Sequence, residues 1–196
     1  QLGFAELAAI SNFSFLHGAS HPQEMVQQAA QLGYRAIGLA DTNTLAGVVR
    51  GHAAAREAGL AFLPGARLVT QCDFEVIAYP RDRLAYAALS QCLTRGNRRA
   101  VKGQCLLMIH DVLELAKTHK FCWLIVPPKK LLDKFRDSAA LLAAASHYVY
   151  VLLVPTYGPD DKAYFAKIAG LADWAGAGLV ASFNPRFHHA SRRLLQ

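Results

Sequence analysis

Seven short apolar runs alternate with longer stretches that carry apolar residues every three or four positions, and this alternation constrains the fold more than any single residue does. The runs cover 4–10, 36–40, 60–63, 74–78, 122–126, 149–154 and 179–182. The stretches between them, 21–32, 45–58, 81–94, 110–118, 130–146 and 161–175, have helical spacing. Strand-sized runs alternating with helix-sized patterns are the signature of βα units, which predicts an α/β fold with a parallel sheet or barrel. Local signals agree with that division. Ser20 and Gln23 have capping-box spacing with Pro22 in the first turn, and Gly33 and Gly59 stand where the first two helices stop. The polar, basic stretch 96–104 is expected to be a surface loop within one domain covering residues 1–196.

With 53% hydrophobic and 18% charged residues, the chain has enough apolar mass for one substantial core. No apolar run approaches the length of about 18 residues that spans a bilayer, and no basic stretch followed by an apolar block reads as a secretory signal. The start at Gln1, together with the stop at Leu194, Leu195 and Gln196 in a helical pattern, reads as the ends of an excised fragment. Cys72, Cys92, Cys105 and Cys122 form no C-x-x-C pair, so the expectation is reduced cysteines and a cytoplasmic protein. The formal charge of +7 comes largely from Arg95, Arg98, Arg99, Lys102, Lys117, Lys120, Lys129, Lys130, Lys134, Arg192 and Arg193. Scattered charge of this kind reads first as solvated helix and loop faces. A nucleic-acid contact through the basic loop 95–102 is the competing reading.

Parallel βα architectures gather their chemistry at the carboxyl ends of the strands. At the first of these stands FAELAAISNFSFLHGASHP, followed by LGYRAIGLADTNTLAGVVRGHAAAREAGL and PGARL; near the end stand GPDD, GLVASFNP and SRRLLQ. These segments resemble the PHP domain of error-prone bacterial DNA polymerases of the C family, over essentially the whole chain and most strongly over 4–68 and 149–196. The resemblance implies a distorted seven-stranded (βα) barrel, whose count equals that of the apolar runs. It also implies an ancestral site in which His, Asp, Glu and Cys side chains hold divalent metals and hydrolyse phosphoesters.

Residue by residue, that site is expected to be dismantled. The opening H-x-H of the family falls on Ala8 and Ile10, neither of which offers a lone pair. The Asp-His pair falls on Asp41 and Thr42, so a carboxylate remains and an imidazole does not. The family's Glu falls on Arg67, and its Asp-x-His on Asn184, Pro185 and Arg186. A guanidinium about 5 Å from a divalent ion is repelled by roughly 7 kcal/mol at an effective dielectric of about 20. Asp41 is expected to cap the following helix through amides near Asn43 and Thr44, or to pair with Arg67 or Arg186. The family's mid-chain His falls loosely near Asp73, and no role is carried across. His17, His21, His188 and His189 lie near the same strand ends. A metal set of Asp41, His17, His188 and His189 is the alternative to an empty site. Phe13, Phe15, Tyr34, Phe62, Trp123 and Trp174 are read as core.

No nucleophile elbow, Walker loop or dinucleotide fingerprint occurs. The expected function is that of a non-catalytic structural or docking domain with no cofactor; the resemblance implies a parent polymerase that copies past DNA damage. Its partners would be other domains of that parent, and through the parent accessory translesion proteins and DNA, with no membrane. The alternative is a surviving metal-dependent phosphoesterase or 3'-5' exonuclease with rearranged ligands.

Overall fold

The computed structural model describes residues 3–128 and 136–195. Its strands are β1 (Ala5–Ala9), β2 (Ala36–Thr42), β3 (Ala61–Val69), β4 (Glu75–Pro80), β5 (Phe121–Ile125), β6 (Val149–Leu153) and β7 (Gly178–Ala181). Its helices are α1 (Pro22–Gln31), α2 (Val48–Glu57), α3 (Arg83–Arg99), α4 (Ile109–Thr118), α5 (Arg136–Ala145) and α6 (Asp161–Ala175), with a short 3-10 helix at Ala190–Leu195. All seven expected strands form, and hydrogen-bonded neighbours follow the chain order from β1 to β7. Of the helix expected over 130–146, the described part is α5; residues 129–135, with Lys129, Lys130 and Lys134, lie outside the described residues. The chain divides into two compact units, Gln1–Arg67 with Ser182–Gln196, and Leu68–Ala181.

In the first unit, β1 pairs parallel with β2 and β2 parallel with β3, the latter in unbroken register from Ala36↔Ala61 to Thr42↔Arg67. Helix α1 turns Met25, Val26 and Ala29 onto Ala9, Ile37 and Leu39, and α2 adds Ala54 and Ala55. Tyr34 and Phe62 close this core, as expected of them. The cap of α1 differs from expectation by one residue. His21 is the N-cap, its backbone N–H donating to Glu24 Oε2 at 2.8 Å. Ser20 is instead committed to the far end of the unit, where its hydroxyl accepts the His188 N–H at 2.9 Å. Residues beyond β7 return alongside β1: Ile10 N–H donates to Pro185 O at 3.0 Å and Ala19 N–H to Arg186 O at 2.8 Å.

The second unit departs from a uniformly parallel sheet. Only residues 70–74 separate β3 from β4, too few for the crossover that a parallel pair needs. Strand β4 pairs antiparallel with β5, from Val76↔Ile125 to Pro80↔Phe121, while β5, β6 and β7 run parallel. Asp73 lies in the 70–74 turn, its N–H donating to Thr70 O. Trp123 is fully buried against Phe121, with ring centroids 4.9 Å apart. Two expectations fail here for physical reasons. Helix α3 continues to Arg99, because Cys92, Leu93 and Gly96 keep one face buried and Arg98 and Arg99 complement the carbonyl end. Trp174 is 46% exposed beneath the Arg136 guanidinium, so it is not core. The four cysteines are free, and burial pushes the Cys92 thiol up to about 11, leaving it unreactive. No helix among the described residues is long and apolar enough to cross a membrane.

Candidate functional site

The carboxyl ends of β1 and β2 meet in the first unit around Asp41, which is only 2% exposed. Its carboxylate is held by one loop. Asp41 Oδ1 accepts the Ser11 N–H at 2.8 Å and the Ser14 hydroxyl at 2.7 Å, and Oδ2 accepts the Ser11 hydroxyl at 2.7 Å. Each serine oxygen is then used again: Ser11 Oγ accepts the Phe13 N–H at 3.2 Å and Ser14 Oγ the Thr42 N–H at 2.9 Å. The expected helix cap is therefore not made, because α2 starts at Val48, six residues beyond Thr42, and the serines are nearer donors. Asp41 forms no ion pair with Arg67 or Arg186 among the described residues.

Backbone packing around the carboxylate is tight. A Cβ on Gly47 would stand 2.7 Å from Asp41 Oδ2, and one on Gly18 would stand 2.0 Å from the Ser11 carbonyl oxygen. Leu16, Asn43 and Asn184 hold φ of 62°, 53° and 50° at the ends of β1, β2 and β7, a left-handed region uncommon for residues with a side chain. The turn that carries Leu16 also projects Phe15, which is 82% exposed. Phe15 was expected in the core; it lies beyond the strand, where alternation no longer turns it inward.

The positions onto which the family's ligands were expected to fall take three forms. Ala8 and Ile10 are buried hydrocarbon. Arg67, 4% exposed on β3, reaches across so that one guanidinium nitrogen donates to Ala8 O at 3.0 Å and Asn184 Oδ1 at 2.6 Å. Arg186 is exposed, and its carbonyl accepts the Ala19 N–H. His17 is exposed; His188 Nδ1 is bonded to Ser20 Oγ at 2.8 Å, and His189 Nδ1 to Ser191 Oγ at 2.9 Å. Among the described residues, no group of three potential metal ligands includes Asp41, His17, His188 or His189. The group that does assemble is His110, Asp111 and Glu114 on α4. There Asp111 Oδ2 already accepts from Arg99 and from the Met108 N–H.

Sequence reasoning missed the residues that organise this region. Ser11 and Ser14, a polar pair immediately beyond an apolar strand, are the donors that Asp41 needs. Glu6, a charge inside an apolar run, is 1% exposed and accepts from Ala8 N–H at 2.7 Å, Ser182 Oγ at 2.5 Å and Phe183 N–H at 2.9 Å. A buried carboxylate with three donors fastens β1 to the segment beyond β7.

A family model described as the PHP domain matches residues 6–174. The chain belongs to the PHP domain family. Among its relatives is the error-prone DNA polymerase of Bradyrhizobium sp. (strain ORS 278), 37% identical over 98% of this chain and 17% of the relative. The error-prone DNA polymerase of Brucella abortus biovar 1 (strain 9-941) is 40% identical, again over 98% of this chain and 18% of its own length. The PHP chain thus spans about a sixth of the relatives it matches. Two solved structures share the fold. A putative metal-dependent phosphoesterase from Bifidobacterium adolescentis superposes with a TM-score of 0.70 at 14% identity, over 96% of this chain and 89% of that one. An amidohydrolase from Chromobacterium violaceum with bound sulfate and no metal gives 0.66 at 15%, over 93% and 87%. The expected α/β fold, seven-stranded and of PHP type, is what the strand order and these likenesses show.

Proposed function

We propose that residues 1–196 act as one non-catalytic PHP domain that supports and docks other domains of an error-prone DNA polymerase in the cytoplasm, its metal site replaced by a hydrogen-bonded joint. The observation that carries this reading is the donor set. A divalent cluster needs several N, O or S ligands converging on a point. The residues at the former ligand positions are two hydrocarbons, a hydroxyl, an amide and two cations, beside one carboxylate already engaged by Ser11 and Ser14. These residues do not fit a metal cluster, and no hydrolytic step is derived through one. In this reading Arg67 takes over a structural part of the metal's role, bridging β1 and the segment beyond β7 with its guanidinium. DNA synthesis and the copying of damaged templates, with whatever accessory proteins that requires, belong to the parent polymerase beyond these residues.

Metal analysis tests the proposal. Protein purified without chelator should carry far less than one equivalent of manganese, zinc or iron, and should hydrolyse model phosphoesters and single-stranded DNA ends no faster than an Asp41→Ala variant. Stoichiometric metal together with turnover lost in Asp41→Ala would overturn it in favour of a phosphoesterase with rearranged ligands.

A further inference from the structure

Of the four cations at 95–102 singled out in the sequence, two stand beside carboxylates. Arg95 stands 3.6 Å from Glu114 and Arg99 is 2.6 Å from Asp111. A different basic surface in the second unit is not so paired. Because β4 runs antiparallel to β5 and β5 parallel to β6, the carboxyl end of β4 and the amino ends of β5 and β6 lie together. Arg81 N–H donates to Lys120 O at 2.9 Å, and Trp123 N–H to Tyr148 O at 2.8 Å, which fixes the three chain segments side by side. Exposed Arg81, Arg83, Lys117 and Lys120 all belong to these ends, with His119 and His147. None of the four cations forms an ion pair among the described residues. The neighbouring carboxylate Asp82 is turned to the Ala85 N–H of α3 at 2.8 Å, and Asp173 lies at the last turn of α6.

One geometric detail separates this surface from an ordinary solvated face. The Arg81 guanidinium lies 3.8 Å from the ring centroid of Tyr148, a side chain that is 44% exposed. Stacking on the ring holds a long cationic side chain in one orientation, with its entropy already spent and its plane available to a further flat group. Bases of single strands stack on such planes while neighbouring lysines and arginines meet the phosphates; in a duplex those base faces are hidden.

We infer that the Arg81–Tyr148 stack and the cations Arg83, Lys117 and Lys120 form a binding surface for single-stranded nucleic acid. It lies away from the Asp41 region in sequence and does not depend on whether that region is catalytic.

The test is fluorescence anisotropy of a labelled oligothymidylate titrated with the 196-residue chain, with thermal melts followed by circular dichroism as the folding control. The expected dissociation constant at low salt is micromolar, of the order of non-specific nucleic-acid binding. Lys117→Ala/Lys120→Ala should weaken binding at least tenfold and reduce the slope of log affinity against log salt by about 1.4, two contacts at ~0.7 each. Tyr148→Ala, which leaves every charge in place, should weaken binding about fivefold or more. Should that variant melt early, Lys120→Glu, at an exposed position, must still abolish binding. Arg98→Ala on α3 should change nothing. No binding, equal binding of duplex DNA or heparin, or indifference to Tyr148→Ala in a folded variant would overturn the inference.

Discussion

Asp41 in the first unit and Asp111 in the second are equally buried, each 2% exposed, yet they are satisfied in opposite ways. Asp41 faces neutral dipoles supplied by one loop, the N–H and hydroxyl of Ser11 and the hydroxyl of Ser14. Asp111 faces a charge: Arg99 at 2.6 Å, with the Met108 N–H at 2.9 Å completing the cap of α4. The Arg99 side chain is 41% exposed, so water competes for that pair and screens it. The contrast teaches where each carboxylate's value lies. The first fixes a loop at the carboxyl end of β1, and the second mainly caps a helix; a buried carboxylate can be satisfied by neutral dipoles alone as well as by a charge.

The largest expected effect breaks the comparison at its first member. Asp41→Ala leaves three buried donors without an acceptor and should cost about 3 kcal/mol. Asp111→Ala, losing a cap whose cationic partner can turn to solvent, should cost about 1 kcal/mol. Urea unfolding followed by circular dichroism compares them. Equal losses would mean that Asp41 is no more than an ordinary cap.

Next in size is Gly18→Ala. The added Cβ meets the Ser11 carbonyl at 2.0 Å, backbone against which nothing flexible can yield. A loss of about 2 kcal/mol is expected. A neutral result would show that the Ser11–Gly18 loop moves freely, and that the serine donors are not held in place.

The third prediction sharpens the other member. Burial by itself would raise the Asp111 carboxyl, but the Arg99 hydrogen bond, the Met108 N–H and the charges of Arg99 and Arg95 hold it below its usual value of 3.8. A folded value below the unfolded one means that the unfolded chain takes up the proton first as pH falls. The stability from Asp111 is therefore complete above about pH 4 and is lost as pH drops through the folded value. The stability difference between wild type and Asp111→Asn should be largest at pH 6 and should shrink at pH 3, measured as urea midpoints. Glu24, held low despite burial by the His21 N–H and the Arg192 and His188 charges, is common to both proteins and cancels. A difference that grows on acidification would reverse the assignment.

How much of this was legible follows from which interactions are local. All seven strands could be read from apolar runs, because strand burial is written in the sequence at short range. Asp41 was visible as a carboxylate at the end of an apolar strand, but its partners stand 27 and 30 positions away in sequence, and no spacing rule reaches that far. Arg67 was visible as a cation among apolar strand residues, whereas its bond to Asn184 spans 117 positions and depends on the segment beyond β7 returning to β1. The antiparallel β4 was missed for a smaller reason. The turn 70–74 carries no Asn-Gly or Asp-Gly signal, and its left-handed residue is Asp73.

The smallest effect concerns backbone conformation, where the two regions differ again. The Asp41 region places Leu16 at φ 62°, whereas the loop that leads to Asp111 uses a glycine, Gly103 at φ 89°, for its left-handed turn. Leucine in that conformation brings its Cβ against its own carbonyl, at a cost of about 1 kcal/mol or somewhat more. The Leu16 side chain is 71% exposed and recovers little by packing. Glycine would relieve the clash while loosening the unfolded chain by about 0.5 to 1 kcal/mol, so Leu16→Gly should be stabilising by about 0.5 kcal/mol or less. Leu16→Asn, which tolerates the same φ without the added freedom, should match or exceed it. Loss of stability in both variants would mean that Leu16 makes contacts worth more than its strain. The Phe15–Leu16 tip would then have to be read as packed structure rather than as a turn held in place from below by Ser11, Ser14 and Asp41.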